Sequence, residues 1–295
     1  MNLAELPTEG ENPRRAELDR LELAAALELL EREDESIHAA LRAARAELAA
    51  AIELVTARLA AGGRLIYVGA GTSGRLGVLV ASECPRTFHS DPAQVQGRIA
   101  GGPEALLRAV EGAEDSLELG RAAVADVTAK DVVFGIAASG RTPFVQAALA
   151  ESRARGAATV MLACVPFALV PDAADVSIRV VTGPEILTGS TRLKAGTATK
   201  LVLNRVTTLA FARLGKVHGN LMVDLDTRGN AKLRARGVRI LQRLTGLAPA
   251  ETEALLTRAG GRVKPAVLMQ RASIDLATAE ALLATAGGSL RRALG

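Results

Sequence analysis

The sequence predicts an α/β fold: a doubly wound, mainly parallel five-stranded sheet, with N-terminal helices before it and a small C-terminal three-helix module after it. Three observations carry this. Short β-type runs alternate with helical runs through the middle of the chain. A glycine-bearing turn joins the first of these runs to its helix. Both flanks show helical periodicity alone. The 295 residues are 49% hydrophobic, enough for a full core, but aromatics are only 2% and Trp is absent. That core is therefore built from Ala, Leu and Val, and the alanine excess favours helix.

Residues 1–15 are polar, contain Pro7 and Pro13, and read as an extended arm. Two helical patterns follow, over 16–33 and 35–61, with Leu, Ile and Ala at i, i+3, i+4 spacings, and Gly62-Gly63 stops the second. Five β-type runs come next: "RLIYVGA" (64–70), "VQGRIAGG" (95–102), "DVVFGIAAS" (131–139), "AATVMLACV" (157–165) and "VSIRVV" (176–181). Helical runs over 75–84, 143–155 and 191–214 separate or follow them. Strand-turn-helix units of this length imply right-handed crossovers and a parallel sheet covered on both faces, with ligands beyond the carboxyl ends of the strands. Past residue 227 the chain is helical again. Gly246 and Pro249 mark a boundary, and runs over 249–259, 263–271 and 275–285 form the terminal module. The expected organisation is residues 1–61 as arm and helices packing on the core, 62–245 as the α/β domain and 246–295 as the helical module.

Composition narrows the function. Thirty-six Lys and Arg against 32 Asp and Glu leave a net charge of +4, without a basic block or a basic stretch interleaved with aromatics. That argues against nucleic-acid binding and suits a small anionic substrate. Cys84 and Cys164 lie in apolar contexts without metal-ligand spacing and read as buried thiols. His38, His89 and His218 show no metal-ligand spacing either. Glu5, Glu9 and Glu11 precede any apolar run, which is unlike a signal peptide, and no uncharged apolar stretch reaches about 18 residues. A cytoplasmic protein without membrane contact is expected.

The turn after the first strand spells G-x-G-x-x-G with Gly69, Gly71 and Gly74. A dinucleotide site also needs an acidic residue at the end of the second strand to bind the ribose, and that strand ends in Gly101-Gly102. No G-K-[ST] follows the turn, which argues even more strongly against a Walker loop. The turn instead carries two hydroxyls, Thr72 and Ser73. A second turn repeats the theme in "AASGRT", with Ser139, Gly140, Arg141 and Thr142. Two such turns on one sheet edge supply backbone N–H groups, hydroxyls and two helix N-termini, which suits a terminal phosphate monoester. Ordinary N-caps are the alternative use of the same residues.

Carboxylates are the candidates for chemistry. Glu83 is the one acid of the apolar run behind the first turn. It either faces out, pairs with a base, or acts as a proton donor if buried. "AVEGAED" places Glu111, Glu114 and Asp115 at a helix break around Gly112, where a loop carboxylate near a phosphate can act as a base. Glu185 sits in the polar segment "TGPEILTGSTRLKAGT". Ser190, Thr191, Arg192 and Lys194 of that segment either contact an anionic sugar or cap the following helix.

Taken together, "TEGENP" (8–13), "GGRLIYVGAGTSGRLGVLVASECP" (62–85), "AVEGAED" (109–115), "GIAASGRTPFV" (135–145), "GPEILTGSTRLKAGTATKLVLN" (183–204) and "GNLMVDL" (219–225) resemble the N-acetylmuramic acid 6-phosphate etherase family of the sugar isomerase (SIS) domain superfamily. The resemblance runs in order through nearly the whole chain. It implies an SIS-like fold and a carbon–oxygen lyase of cell-wall recycling that needs no metal or organic cofactor. Such a lyase removes D-lactate from N-acetylmuramate 6-phosphate by elimination and hydration, leaving N-acetylglucosamine 6-phosphate. By the same resemblance Glu83 is the acid for lactate departure and Glu114 the base at C2. Ser73, Ser139 and Thr142 hold the phosphate with the backbone of Gly140 and Arg141, and a homodimer shares its sites.

Four positions depart from the family pattern: Val80 stands in place of Asp, Arg86 of Pro, His89 of Gly, and His218 of an aromatic. Two other readings share the phosphate loops. One is an SIS-type aldose–ketose isomerase, which needs no acid for a leaving group. The other is a non-catalytic phosphosugar sensor such as the glucokinase regulatory proteins, which are longer and carry a duplicated domain.

Overall fold

The computed structural model describes residues 6–14, 18–225, 227–229 and 231–295. Packing divides the chain into two units: one takes the chain up to Ser82 together with Ala93–Thr207, the other Glu83–Pro92 with Thr208–Gly295.

The first unit holds the five expected strands, β1 (Leu65–Gly69), β2 (Val95–Ile99), β3 (Val132–Ile136), β4 (Ala158–Ala163) and β5 (Val176–Arg179). They form one sheet in the order β2-β1-β3-β4-β5, and every pairing is parallel. Register alternates the two faces: Ile66 pairs beside Val133, and Tyr67 beside Phe134, whose rings meet edge to face at 5.4 Å. Ile66, Val68, Val133 and Met161 join a buried cluster with Phe144, Val145 and Ala148 of the following helix, Pro143–Ala154. The short runs are continuously apolar because the inner strands β1, β3 and β4 are buried along their whole length.

The helices before the sheet, in chain order, are α1 (Leu23–Ala43) and α2 (Arg45–Ala60). The break expected near residue 34 lies at Ala44 instead. Nothing in "EREDE" stops a helix, and Glu33 within it is buried. Residues 16 and 17, where the first helix was expected to begin, lie outside the described residues, and Leu18–Arg20 form a 3-10 turn. The next helix, α3 (Gly71–Phe88), starts four residues before the expected run and continues through Pro85. Its first half lies very close to the sheet. A Cβ on Gly97 of β2 would come within 2.5 Å of the Val78 Cα, and one on Gly77 within 2.9 Å of the Tyr67 Cβ. After α4 (Leu117–Ala122) and α5 (Pro143–Ala154) comes α6 (Lys194–Arg213).

At the amino edge of the sheet, Asp131 neutralises Arg64. The Arg64 backbone N–H, Nε and Nη2 donate to the Asp131 carboxylate at 2.9, 3.1 and 2.8 Å, and the Thr128 N–H adds a bond of 2.8 Å. Burial pushes the Asp131 carboxyl up, but the guanidinium and the two backbone donors outweigh it and bring it down to about 2.

The second unit is helical: α7 (Ala231–Thr245), α8 (Pro249–Arg258), α9 (Val263–Ala272), α10 (Leu276–Thr285) and α11 (Leu290–Leu294). The three expected terminal runs are α8, α9 and α10. Their core also takes in Ile240 and Leu241 of α7 and Leu290 of α11, so it runs across the boundary expected at Gly246. Lys264 is buried here, donating to Asp224 at 2.7 Å and to the Gly288 carbonyl at 2.6 Å. Phe88 stacks on Phe211 with centroids 4.6 Å apart.

Two departures from the family pattern have a structural account in this unit. His218 is held below the ordinary imidazole range by burial and by Arg291 and Arg271, which favours the neutral ring where the family has an aromatic. His89 ends α3 at φ 49°, a left-handed conformation that costs least for glycine.

Replacing His89 by Gly is expected to raise unfolding stability by roughly 0.5–1 kcal/mol, read by denaturant midpoint. Asp131→Asn should cost about 2 kcal/mol at neutral pH. The depressed Asp131 group stabilises fully above its ordinary value of 3.8 and loses that contribution as pH falls towards about 2. Acid titration of the wild type should therefore show a stability loss in that window that Asp131→Asn lacks.

Candidate functional site

The strand order reverses between β1 and β3, and a cleft of about 570 Å³ opens at their carboxyl ends. The turn after β1 supplies Ala70, Gly71, Thr72 and Ser73 to its lining. The turn after β3 supplies Ala137, Ala138, Ser139, Arg141, Thr142 and Pro143.

Glycine sets the first turn. A Cβ on Gly74 would lie 2.6 Å from the Gly69 carbonyl oxygen, and one on Gly69 would lie 2.7 Å from the Gly74 nitrogen. The N-terminus of α3 thus sits directly on the strand end, with Thr72 and Ser73 in its first turn, where backbone N–H groups lack helical partners. Among the described residues no hydrogen bond engages the Thr72 or Ser73 hydroxyl. In the second turn Gly140 has φ 72°, and Thr142 holds the N-cap position of α5 without a side-chain cap bond. Neither turn therefore spends these hydroxyls on the capping role that was the alternative. Ser139 Oγ accepts from the Arg141 N–H at 3.3 Å. Gly140 donates its own N–H to the Ala137 carbonyl at 2.9 Å and lines a separate cavity with Gln146 on the other side of the turn.

The loop over 109–116 brings acids to the same cleft. The Glu114 carbonyl accepts the Phe144 N–H at 3.0 Å, which ties this loop to the first turn of α5. Ala113 is buried, and Ser116 caps α4 through the Leu119 N–H at 3.1 Å. Glu114 and Asp115 are exposed and line the cleft.

The predicted residues divide accordingly. Thr72, Ser73, Glu114, Ser139, Arg141 and Thr142 share one cleft. Glu185 is buried, and its carboxylate accepts the N–H groups of Lys194 and Ala195 at 3.0 and 2.9 Å, capping α6. Lys194 is buried and donates to Glu33 at 2.5 Å. Neither belongs to the cleft lining, nor does Ser190, although its neighbour Thr191 does. Glu83 belongs to the second unit, near the end of α3, and is exposed. Beside it, burial and then the Glu83 charge push the Cys84 thiol up to about 12. Burial and Glu185 do the same to Cys164. Both cysteines are buried thiols outside any disulfide and protonated at neutral pH. Sequence reading passed over Glu9, which also lines the cleft. Its only signal was its place in the "TEGENP" segment of the family resemblance.

No helix among the described residues is long and apolar enough to cross a membrane. Residues 47–153 match the model of the glucokinase regulatory protein N-terminal SIS domain, and residues 109–208 match the SIS domain. A solved structure described as a phosphosugar isomerase involved in capsule formation, from Bacteroides fragilis, aligns with TM-score 0.51. It is 15% identical and covers 71% of this chain and 98% of that one, which is likeness of fold alone. Full-length relatives are much closer. The N-acetylmuramic acid 6-phosphate etherase of Gloeobacter violaceus is 55% identical over 293 residues, covering 99% of this chain and 95% of its own. Those of Streptomyces coelicolor and Mycolicibacterium smegmatis are 52% and 50% identical, covering 99% and 100% of this chain and 94% and 99% of their own. Identity at this level over the whole length shows the family, and the chain belongs to the N-acetylmuramic acid 6-phosphate etherases, with an SIS domain at its centre.

Proposed function

We propose that the protein is a carbon–oxygen lyase that cleaves the D-lactyl ether of N-acetylmuramate 6-phosphate, a step of cell-wall recycling. The observation that carries this is one cleft, at the reversal point of the sheet, lined by two hydroxyl-bearing turns and by Glu114. A phosphate monoester presents acceptors only, and Thr72, Ser73, Ser139 and Thr142 supply donors for it together with the N-termini of α3 and α5. Arg141 adds positive charge on the same wall, and Gly140 gives the turn its shape. Glu185 caps α6 from behind that wall, and Ser190 lies next to the lining residue Thr191.

The chemistry runs through the open-chain sugar. Its C1 aldehyde acidifies the C2 proton, and Glu114 takes that proton. Electrons move into the C2–C3 bond, the C3–O bond breaks, and the departing lactate oxygen takes a proton from Glu83. Water then adds at C3: Glu83 takes back a proton from it as the hydroxyl forms the new C3–O bond, and Glu114 returns its proton to C2, which restores both carboxyl groups. The balance is one ether and one water giving two alcohols, so no redox partner enters. The assignment of Glu83 rests on the family pattern around "SECP". Glu83 is exposed on the single chain, so an acid role calls for a cover that excludes water. A homodimer with shared sites supplies such a cover, and the substrate points to the cytoplasm.

The purified protein should release D-lactate from N-acetylmuramate 6-phosphate, followed by a coupled lactate assay. Glu83→Ala should reduce turnover by about 10³-fold or more while leaving phosphosugar binding intact. Ser139→Ala should instead raise KM about tenfold through one lost hydrogen bond to a charged group. A protein that interconverts aldose and ketose phosphates but frees no lactate would sink the lyase reading.

A further inference from the structure

Glu9 reaches the cleft from a segment more than a hundred residues away in sequence from Glu114, and the structure holds it there by several independent contacts. Leu6 is fully buried in the cluster that contains Ala70, Ala100 and Ala113 at the carboxyl edge of the sheet. The N–H groups of Glu9 and Gly10 both donate to the Leu6 carbonyl, at 2.9 and 3.0 Å, closing a turn. Asn12 then pins the arm. Its Nδ2 donates to Glu33 Oε2 at 2.7 Å and to the Pro184 carbonyl at 3.2 Å, and its Oδ1 accepts the Arg14 N–H at 2.8 Å. The same Glu33 oxygen takes the Lys194 ammonium at 2.5 Å. Burial raises the Glu33 group, but Lys194 and Asn12 outweigh it, so it remains a carboxylate. Opposite the arm, a Cβ on Gly189 would lie 3.3 Å from Glu9 Oε2, so glycine there leaves room for the carboxylate.

This network is costly for stability alone. A buried ion pair repays little of its desolvation, and a hydrophobic trio of the same volume would do as well. What the trio does achieve is to join the arm, α1 and the start of α6 at one point. The residue carried beyond that point is Glu9.

We infer that Glu9 is a further substrate-contacting residue of this cleft, one that accepts hydrogen bonds from hydroxyl or amide N–H groups of the sugar portion of a phosphosugar, and that Asn12, Glu33 and Lys194 are positioning residues that hold it. An ionised carboxylate only accepts, and it repels phosphate, so its partner is the donor-rich ring and not the monoester. This deepens the reading of the cleft as a phosphosugar site and rests on it. Lys194, expected at the substrate, acts here through Glu33 and Asn12.

The test is titration calorimetry on the full chain with N-acetylglucosamine 6-phosphate, and with inorganic phosphate as a competitor. Glu9→Ala should weaken phosphosugar binding about tenfold or more and leave phosphate competition within about twofold. Glu9→Gln, which keeps one acceptor, should recover part of the loss. Asn12→Ala should show the same selective loss, and the double variant should lose no more than Glu9→Ala alone, the non-additivity of two residues acting through one. The inference is overturned if Glu9→Ala binds phosphosugar like the wild type, or if it loses phosphosugar and phosphate alike. Should Asn12→Ala fail to fold, the two Glu9 variants decide. Wild type that binds neither ligand would remove the phosphosugar reading and this inference together. Wild type that binds phosphosugar but frees no lactate removes only the reaction.

Discussion

Backbone contact between α3 and the sheet sets the geometry of the first unit. Gly69, Gly74, Gly77 and Gly97 let the helix lie close against β1 and β2, since a Cβ at any of the four would meet an atom within 3 Å. A helix held that close delivers its N-terminus at the strand end, so the Thr72 and Ser73 hydroxyls and the unpaired amides arrive at one place. Had any of these glycines carried a methyl group, the helix or the sheet would have to shift. The glycine spelling that resembles a dinucleotide fingerprint is therefore a packing device. Its neighbours assign the chemistry: hydroxyls at the start of α3, and no acid at the end of β2.

The two edges of the sheet do different work. At the amino edge Arg64 pairs with Asp126 and Asp131, and Asp126 also takes Arg98 from further along β2. At the carboxyl edge hydroxyls remain unspent, and the acids Glu9, Glu114 and Asp115 are exposed. Satisfied charge holds the fold, and unsatisfied polarity is left for a ligand.

Much of this was legible in the sequence. Continuous apolar runs such as "DVVFGI" announce buried parallel strands, and all five appear where they were read. The two hydroxyl turns were visible as a repeated motif, and their convergence comes from the strand order. Other features were not legible for physical reasons. The polar stretch around Glu33 looked like a break because helix interiors rarely bury a carboxylate, and its partners Lys194 and Asn12 are distant in sequence. Glu185 and Lys194 looked like ligand contacts because polar residues in a loop do not announce whether they will turn inward. Glu9 carried no local signal, since its placement depends on a clamp closed by residues from three segments.

The clamp also has a consequence in time. Asn12 and its acceptor Pro184 are 172 residues apart, and Glu33 and Lys194 are 161 apart. At roughly 5–20 residues per second of synthesis, the arm leaves the ribosome about 10–30 s before its partners exist. A segment made before the sheet is thus among the last to find its place, and Leu6 waits as exposed apolar chain until the sheet edge it fills has formed. A nascent chain of this protein completes its cleft only after most of the sheet domain has been translated, however early the first strands pair.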